Sequence, residues 1–205
     1  MSSPVKRSVV ITSLVVLLGT WVFWWGTDGF TALTAETARR VEILRSPRPL
    51  PAVTLEDQDG NIFNLQDYQG KLLAVDFIFT RCTTLCRSMG MIFKQIRDLI
   101  PPESLGRDFQ LLSISFDPDH DDPVSLKKYG QTYGADGKIW RIARVPDKAE
   151  LKSLLEAFGI VVIPDEFGGY EHNTALHLVG RDGKLRLISD IDKAVPFAEQ
   201  VVALL

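Results

Sequence analysis

An uncharged run from residue 8 to residue 27, set between Lys6-Arg7 and Asp28, constrains this chain before any other feature does. Twenty residues at 1.5 Å per residue reach about 30 Å, the thickness of a bilayer's hydrocarbon core. Trp21, Trp24 and Trp25 gather at its far end, where amphipathic rings favour the membrane–water interface. Positive charge lies before the run, and the nearest acids, Asp28 and Glu36, lie after it. The positive-inside rule then predicts a cytoplasmic N-terminus over residues 1–7, a membrane anchor over 8–27 and an exported remainder, periplasmic in a bacterium. A cleaved signal would have a shorter apolar core, about 7–15 residues, and a small-x-small site. Leu33-Thr34-Ala35 matches that poorly, and no polar face marks the run as a buried core helix. Residues 28–51 are expected to be a linker. Pro47, Pro49 and Pro51 make 39–51 a stiff, extended stretch.

Residues 52–205 have the length of one domain. Over the whole chain of 205 residues, 45% are apolar and 24% charged, an ordinary globular balance. A formal charge of −3 carries no basic excess, which excludes a nucleic-acid footprint. Two cysteines exclude a disulfide-built scaffold, so any bridge or thiol site uses this one pair. No Gly-rich phosphate loop, paired catalytic carboxylates or nucleophilic serine motif is evident.

Short apolar runs alternate with helical patterns. Residues 54–55 and 62–65 flank Asp57-Gln58-Asp59-Gly60 and predict a hairpin. Residues 72–79 (LLAVDFIF) form a near-continuous apolar strand of the kind covered on both faces. Residues 87–100 place Met89, Ile92, Phe93, Ile96 and Ile100 on one helical face, stopped by Pro101-Pro102. A second core strand is expected at 109–116, a helix at 124–133, a strand at 139–145 and a helix at 148–158 ended by Gly159. Residues 174–179 and 184–188 flank Arg181-Asp182-Gly183 as a further hairpin, and 195–205 closes the chain as a helix. The order predicts an α/β sandwich with parallel and antiparallel strands.

Cys82 and Cys86 follow the central strand where its carboxyl end meets the next helix, the edge at which open α/β sheets build sites. Helix N-terminal amides and Arg81 lower a thiol pKa there. Two inert buried cysteines are the bland alternative, a poor fit to neighbours such as Arg81, Thr83, Thr84 and Arg87. Positions i and i+4 of a regular helix hold their Cβ atoms about 5–6 Å apart, against about 3.5–4.5 Å for a disulfide. A bridge therefore needs an irregular turn and would be easily reduced. Two thiolates and an imidazole suit Cu(I), whereas structural zinc wants a fourth protein ligand.

Three histidines compete for the third position. His177 lies within a strand and is most simply a structural face residue. His120 sits in the acidic loop Asp117-Pro118-Asp119-His120-Asp121-Asp122, after a strand that ends near the cysteines. His172 precedes a core strand and follows Gly168-Gly169. Spacing ranks His172 only modestly above His120.

Asp76-Phe77-Ile78-Phe79-Thr80-Arg81-Cys82-Thr83-Thr84-Leu85-Cys86 resembles the copper-site motif of the Sco/SenC family. Asp117-Pro118 with Asp121 and Pro123, then Leu126 and Tyr129, resembles its Asp-Pro-x-x-Asp-Thr-Pro segment. Glu171-His172-Asn173-Thr174-Ala175, with Leu178 and Asp182-Gly183, is similar to its Asp-His-Ser/Thr region. The likeness runs from about Ala52 to Leu205, and the N-terminal anchor fits it. Two departures stand out. Thr83 and Arg87 replace the prolines that usually follow each cysteine, and Glu171 replaces the usual Asp.

The resemblance implies a thioredoxin-like fold in which Cys82, Cys86 and His172 bind copper as Cu(I) or Cu(II). It further implies delivery of copper to, or reduction of thiols at, the dinuclear copper centre of cytochrome c oxidase. Asp117 and Asp121 would orient ligands or partners; the alternative for both is a solvated turn with a helix cap. The rival function is a membrane-tethered thiol–disulfide oxidoreductase cycling Cys82 and Cys86 between dithiol and disulfide. A redox or copper sensor would use the same site with another partner. A peroxide-reducing enzyme leaves His172 without a role.

Overall fold

The computed structural model describes every residue except 1–3, 28, 30–33, 83–84 and 167, and omits the side chains of Val5, Ala35, Leu85, Cys86 and Arg87. Asp28, Leu33, Thr83, Thr84 and the side chains of Ala35, Leu85, Cys86 and Arg87, all named in the sequence analysis, thus lie outside the described set. The chain divides into two compact units, residues 1–45 and 46–205.

The first unit holds α1 (Pro4–Gly26) and α2 (Ala35–Arg45). Within α1, Lys6–Gly26 has a mean hydropathy of 1.9 and is long and apolar enough to cross a membrane. The expected extended stretch over 39–51 is corrected here, because Arg39 to Arg45 belong to α2. Its prolines all come later. Within α2, Glu36 pairs with Arg39 at 2.8 Å and Arg40 at 2.9 Å, the i+3 and i+4 spacings that support a helix.

The second unit is built on an eight-stranded sheet of order β1-β10-β9-β4-β5-β6-β2-β3. Its parallel centre is β4 (Leu72–Ile78), β5 (Phe109–Ser115) and β6 (Trp140–Arg144). Every residue of β4 is buried, as its unbroken apolar sequence requires of a strand covered on both faces. On one flank β2 (Thr54–Asp57) and β3 (Ile62–Asn64) form the expected hairpin, β2 pairing with β6. On the other, β9 (Leu176–Val179) pairs antiparallel with β4, β10 (Lys184–Ser189) with β9, and the short β1 (Arg48–Pro49) with β10.

Successive residues of a strand face opposite sides of the sheet, so Asp76 and Phe77 label its two faces. Phe77 meets Phe158 of α5 (Lys148–Phe158), their centroids 5.1 Å apart. Asp76 lies in register with Ser113 of β5, whose hydroxyl accepts a hydrogen bond from Trp140 Nε1. Trp140 in turn packs on Phe93 of α3 (Leu85–Leu99), placing α3 over the Asp76 face. There α3 packs beside α4 (Pro123–Tyr133) and α6 (Ala194–Val202). At Gly90 of α3 a β-carbon would stand 2.5 Å from the Tyr133 ring, so the α3–α4 approach depends on glycine. Asp122 caps α4 through Ser125 N, with Pro123 in its first turn.

One element has no counterpart in the sequence periodicity. A separate two-stranded sheet pairs β7 (Val162–Pro164) with β8 (Tyr170–His172), Val162 opposite His172. Three residues per strand are too few to show an alternation.

Asp76 is fully buried, and neither carboxyl oxygen has a hydrogen-bond partner among the described residues. Burial pushes its pKa up to about 7, and the neighbouring Ser113 hydroxyl offsets this only in part. The folded chain therefore holds a proton that the unfolded chain releases near pH 4. Stability should fall as pH rises from about 4 to about 7 and level off above that. Asp76→Asn should flatten this slope and make the protein about 2–4 kcal/mol more stable than wild type at pH 8. Urea unfolding of the full chain in detergent at pH 5 and pH 8 measures it; equal slopes in both proteins would overturn the assignment.

Candidate metal centre

The candidate residues converge where β4 and β5 end. The chain leaves β4 through Phe79, Thr80 and Arg81 to Cys82, whose amide donates to Phe79 O at 3.3 Å. Cys82 is half-buried beside a cavity of about 330 Å³ walled by Arg81, Ser125, Lys128, Tyr129 and Tyr133. Cys86 stands in the first turn of α3. The chain leaves β5 through Phe116 into the acidic loop.

In that loop the acids divide their roles. Asp121 is fully buried and accepts hydrogen bonds from Thr80 N at 2.9 Å, Thr80 Oγ1 at 2.6 Å and Ser115 Oγ. It fastens the exit of β4 to the exit of β5. Asp117 is also buried and accepts from Arg81 Nη2 at 2.8 Å, His120 Nδ1 at 2.8 Å and Tyr170 Oη at 3.2 Å. Burial alone would raise the Asp117 carboxyl. His120 and Arg81 outweigh it and hold the group below the ordinary aspartate range. The solvated-turn alternative fails for both residues, and the helix cap falls instead to Asp122.

His120, expected to be solvated, is half-exposed but bound to Asp117 through Nδ1. His177 has the structural role expected of a strand residue. It is fully buried on β9, with Nδ1 3.2 Å from Val75 O and its ring against Phe77 and Phe158.

His172 ends β8. Its ring lies 4.7 Å from that of Phe116 and 6.1 Å from that of Phe79, between the two strand exits. Nδ1 is 3.3 Å from Asn173 O, and a carbonyl can only accept, so this nitrogen carries the proton. Nε2 then presents its lone pair; it is shielded from solvent and has no hydrogen-bond partner among the described residues. Burial pushes the imidazole pKa down, against a smaller pull from the Asn173 carbonyl, which keeps the ring neutral. A neutral imidazole with one oriented nitrogen is the form that ligates a metal. Among the described residues no three His, Cys, Asp or Glu side chains form a ready metal cage. The Cys86 side chain lies outside that set.

Sequence reasoning missed Tyr170. Its ring packs on Phe79 at 5.3 Å and Phe116 at 5.5 Å, as His172 does two residues later. The signal is the i, i+2 spacing to His172, visible only once β8 is known to be a strand.

The family model described as SCO1/SenC matches residues 50–205. The chain belongs to the SCO1/SenC family. A SCO1 protein homolog from Bacillus subtilis is 31% identical over 134 residues, 64% of this chain and 68% of the relative. A SCO1/SenC family lipoprotein from Bacillus anthracis superposes with a TM-score of 0.71 at 27% identity, covering 78% of this chain and 98% of that one. ScoI of Bradyrhizobium japonicum, solved with copper bound, gives a TM-score of 0.64 at 18% identity over 77% and 99% of the two chains. At that identity the likeness is one of fold, and it bears out the thioredoxin-like architecture.

Neighbouring acids should differ sharply on removal. Asp121→Ala strands three buried donors and should cost about 3–5 kcal/mol of stability. Asp122→Ala removes an exposed cap and should cost about 1 kcal/mol. Urea unfolding of the two variants checks the ranking, and equal losses would overturn it.

Proposed function

We propose that this protein is a copper metallochaperone that holds Cu(I) or Cu(II) on Cys82, Cys86 and His172 and serves copper-centre assembly of cytochrome c oxidase. The observation that carries the proposal is His172 Nε2, a buried lone pair without a hydrogen-bond partner among the described residues, on the rim from which the cysteine loop departs. A buried polar atom left unmatched costs stability unless a ligand uses it. Family membership and the copper-bound ScoI relative support copper as that ligand.

The residues act in sequence. Cys82 and Cys86 lose their protons to bind, which makes affinity pH-dependent. The thiolates alone satisfy soft Cu(I); the imidazole of His172 adds the nitrogen that Cu(II) prefers. Because burial already keeps His172 neutral, its nitrogen needs no deprotonation at pH 7. The cavity beside Cys82 leaves one thiol approachable by a docked partner, so cargo can pass by ligand exchange. Asp117 and Asp121 hold the loops that carry these groups. Helix α1 anchors the protein, with residues 1–7 cytoplasmic, 8–27 in the membrane, 28–51 as the connection and 52–205 exported.

The same approachable Cys82 supports a second reading, a membrane-tethered thiol–disulfide oxidoreductase. Copper titration of the reduced, anaerobic full chain in detergent separates the two. Cys82→Ser should abolish tight binding of one equivalent, and His172→Ala should weaken Cu(II) more than tenfold, roughly, while leaving most Cu(I) affinity. Failure of the intact dithiol to bind copper tightly, with turnover of a protein disulfide, would favour the oxidoreductase.

A further inference from the structure

Tyr170 and His172 are neighbours on one face of β8, separated by Glu171 on the other. Their rings share a slot walled by Phe79 and Phe116, the last apolar residues leaving β4 and β5. β8 belongs to a sheet of only two strands and is not hydrogen-bonded into the eight-stranded sheet. Its side chains must therefore supply what fixes its position. The Tyr170 hydroxyl does so through Asp117 Oδ1, at 3.2 Å. Asp117 is itself immobilised by Arg81, the residue before Cys82, and by His120. One buried carboxylate thus links the cysteine loop to the strand that carries His172. The ring stacking alone would let β8 slide along the aromatic slot, because edge contacts are weakly directional. A hydrogen bond to a fixed acceptor is not.

We propose that Tyr170 is a positioning residue for His172: its hydrogen bond to Asp117 sets where Nε2 points, and so sets how strongly the site favours Cu(II). The proposal rests on His172 being a copper ligand. Cu(I) is satisfied by two thiolates and should be nearly indifferent to the imidazole's placement, whereas Cu(II) is not. Glu171, pointing the other way, has no part in it.

Tyr170→Phe keeps the ring and both aromatic contacts and removes only the hydroxyl. In the full chain in detergent it should weaken Cu(II) about tenfold, the usual scale for a group that orients a metal ligand. It should also alter the thiolate-to-Cu(II) absorption band, and leave Cu(I) affinity within about twofold. The deciding comparison is the double variant. In a His172→Ala background Tyr170→Phe should cost nothing further, since its effect passes through the imidazole. Equal losses with and without His172, or no loss in either, would overturn the proposal. If His172→Ala by itself leaves Cu(II) affinity and spectrum unchanged, the ligand assignment beneath it falls instead. A second variant, Glu171→Gln, changes the same strand on its exposed side and should leave both oxidation states unaffected. A Cu(II) loss matching that of Tyr170→Phe would show general loosening of β8 and likewise overturn the proposal.

Discussion

The buried Asp121 carboxylate is the interaction on which the site depends. Two parallel strands end side by side at β4 and β5, and their exits would diverge without a tie. Asp121 supplies it by accepting from Thr80 on one exit and Ser115 on the other. A buried carboxylate is unfavourable unless its lone pairs are matched, and here three donors match them. The cost of burial is turned into geometric definition. Cys82 departs from a fixed point two residues beyond Thr80, and Phe79 presents its ring to the slot that receives His172.

Asp117 extends that frame outward. Where Asp121 joins strand to strand, Asp117 joins loop to loop to hairpin, through Arg81, His120 and Tyr170. Two acids four residues apart in the chain divide the work of holding a rim whose functional groups come from three distant stretches. Both sites form at the carboxyl end of a parallel pair, the place that doubly covered sheets leave open.

Much of this was legible in the sequence where physical signals are long. Residues 72–79 and 109–116 announce buried parallel strands, and Pro123 with Gly134, or Asp147 with Gly159, mark helix ends that the structure reproduces. The cysteine loop was locatable because it follows the most apolar strand. The short elements were not legible. Three residues each in β7 and β8 carry no usable alternation, so Tyr170 could not be aligned with His172. The run of prolines drew attention away from α2, whose own residues from Ala35 to Arg45 favour a helix. Spacing could not separate His172 from His120, because the difference lies in burial: one nitrogen is enclosed between aromatic rings and the other is tied to a carboxylate at the surface. Nor could it show that Asp117 and Asp121 face inward while Asp122 caps, since all three sit in one acidic run.

The hairpin that bears His172 lies outside the hydrogen-bonded register of the main sheet. A residue inserted or lost between Pro164 and Tyr170 would change the reach of the imidazole without slipping any strand of the core. The cysteines enjoy no such freedom, since β4 and α3 confine them on either side. The third ligand position can accordingly drift faster over evolutionary time than the other two, and descendants of one fold can diverge in metal preference through a stretch of about ten residues.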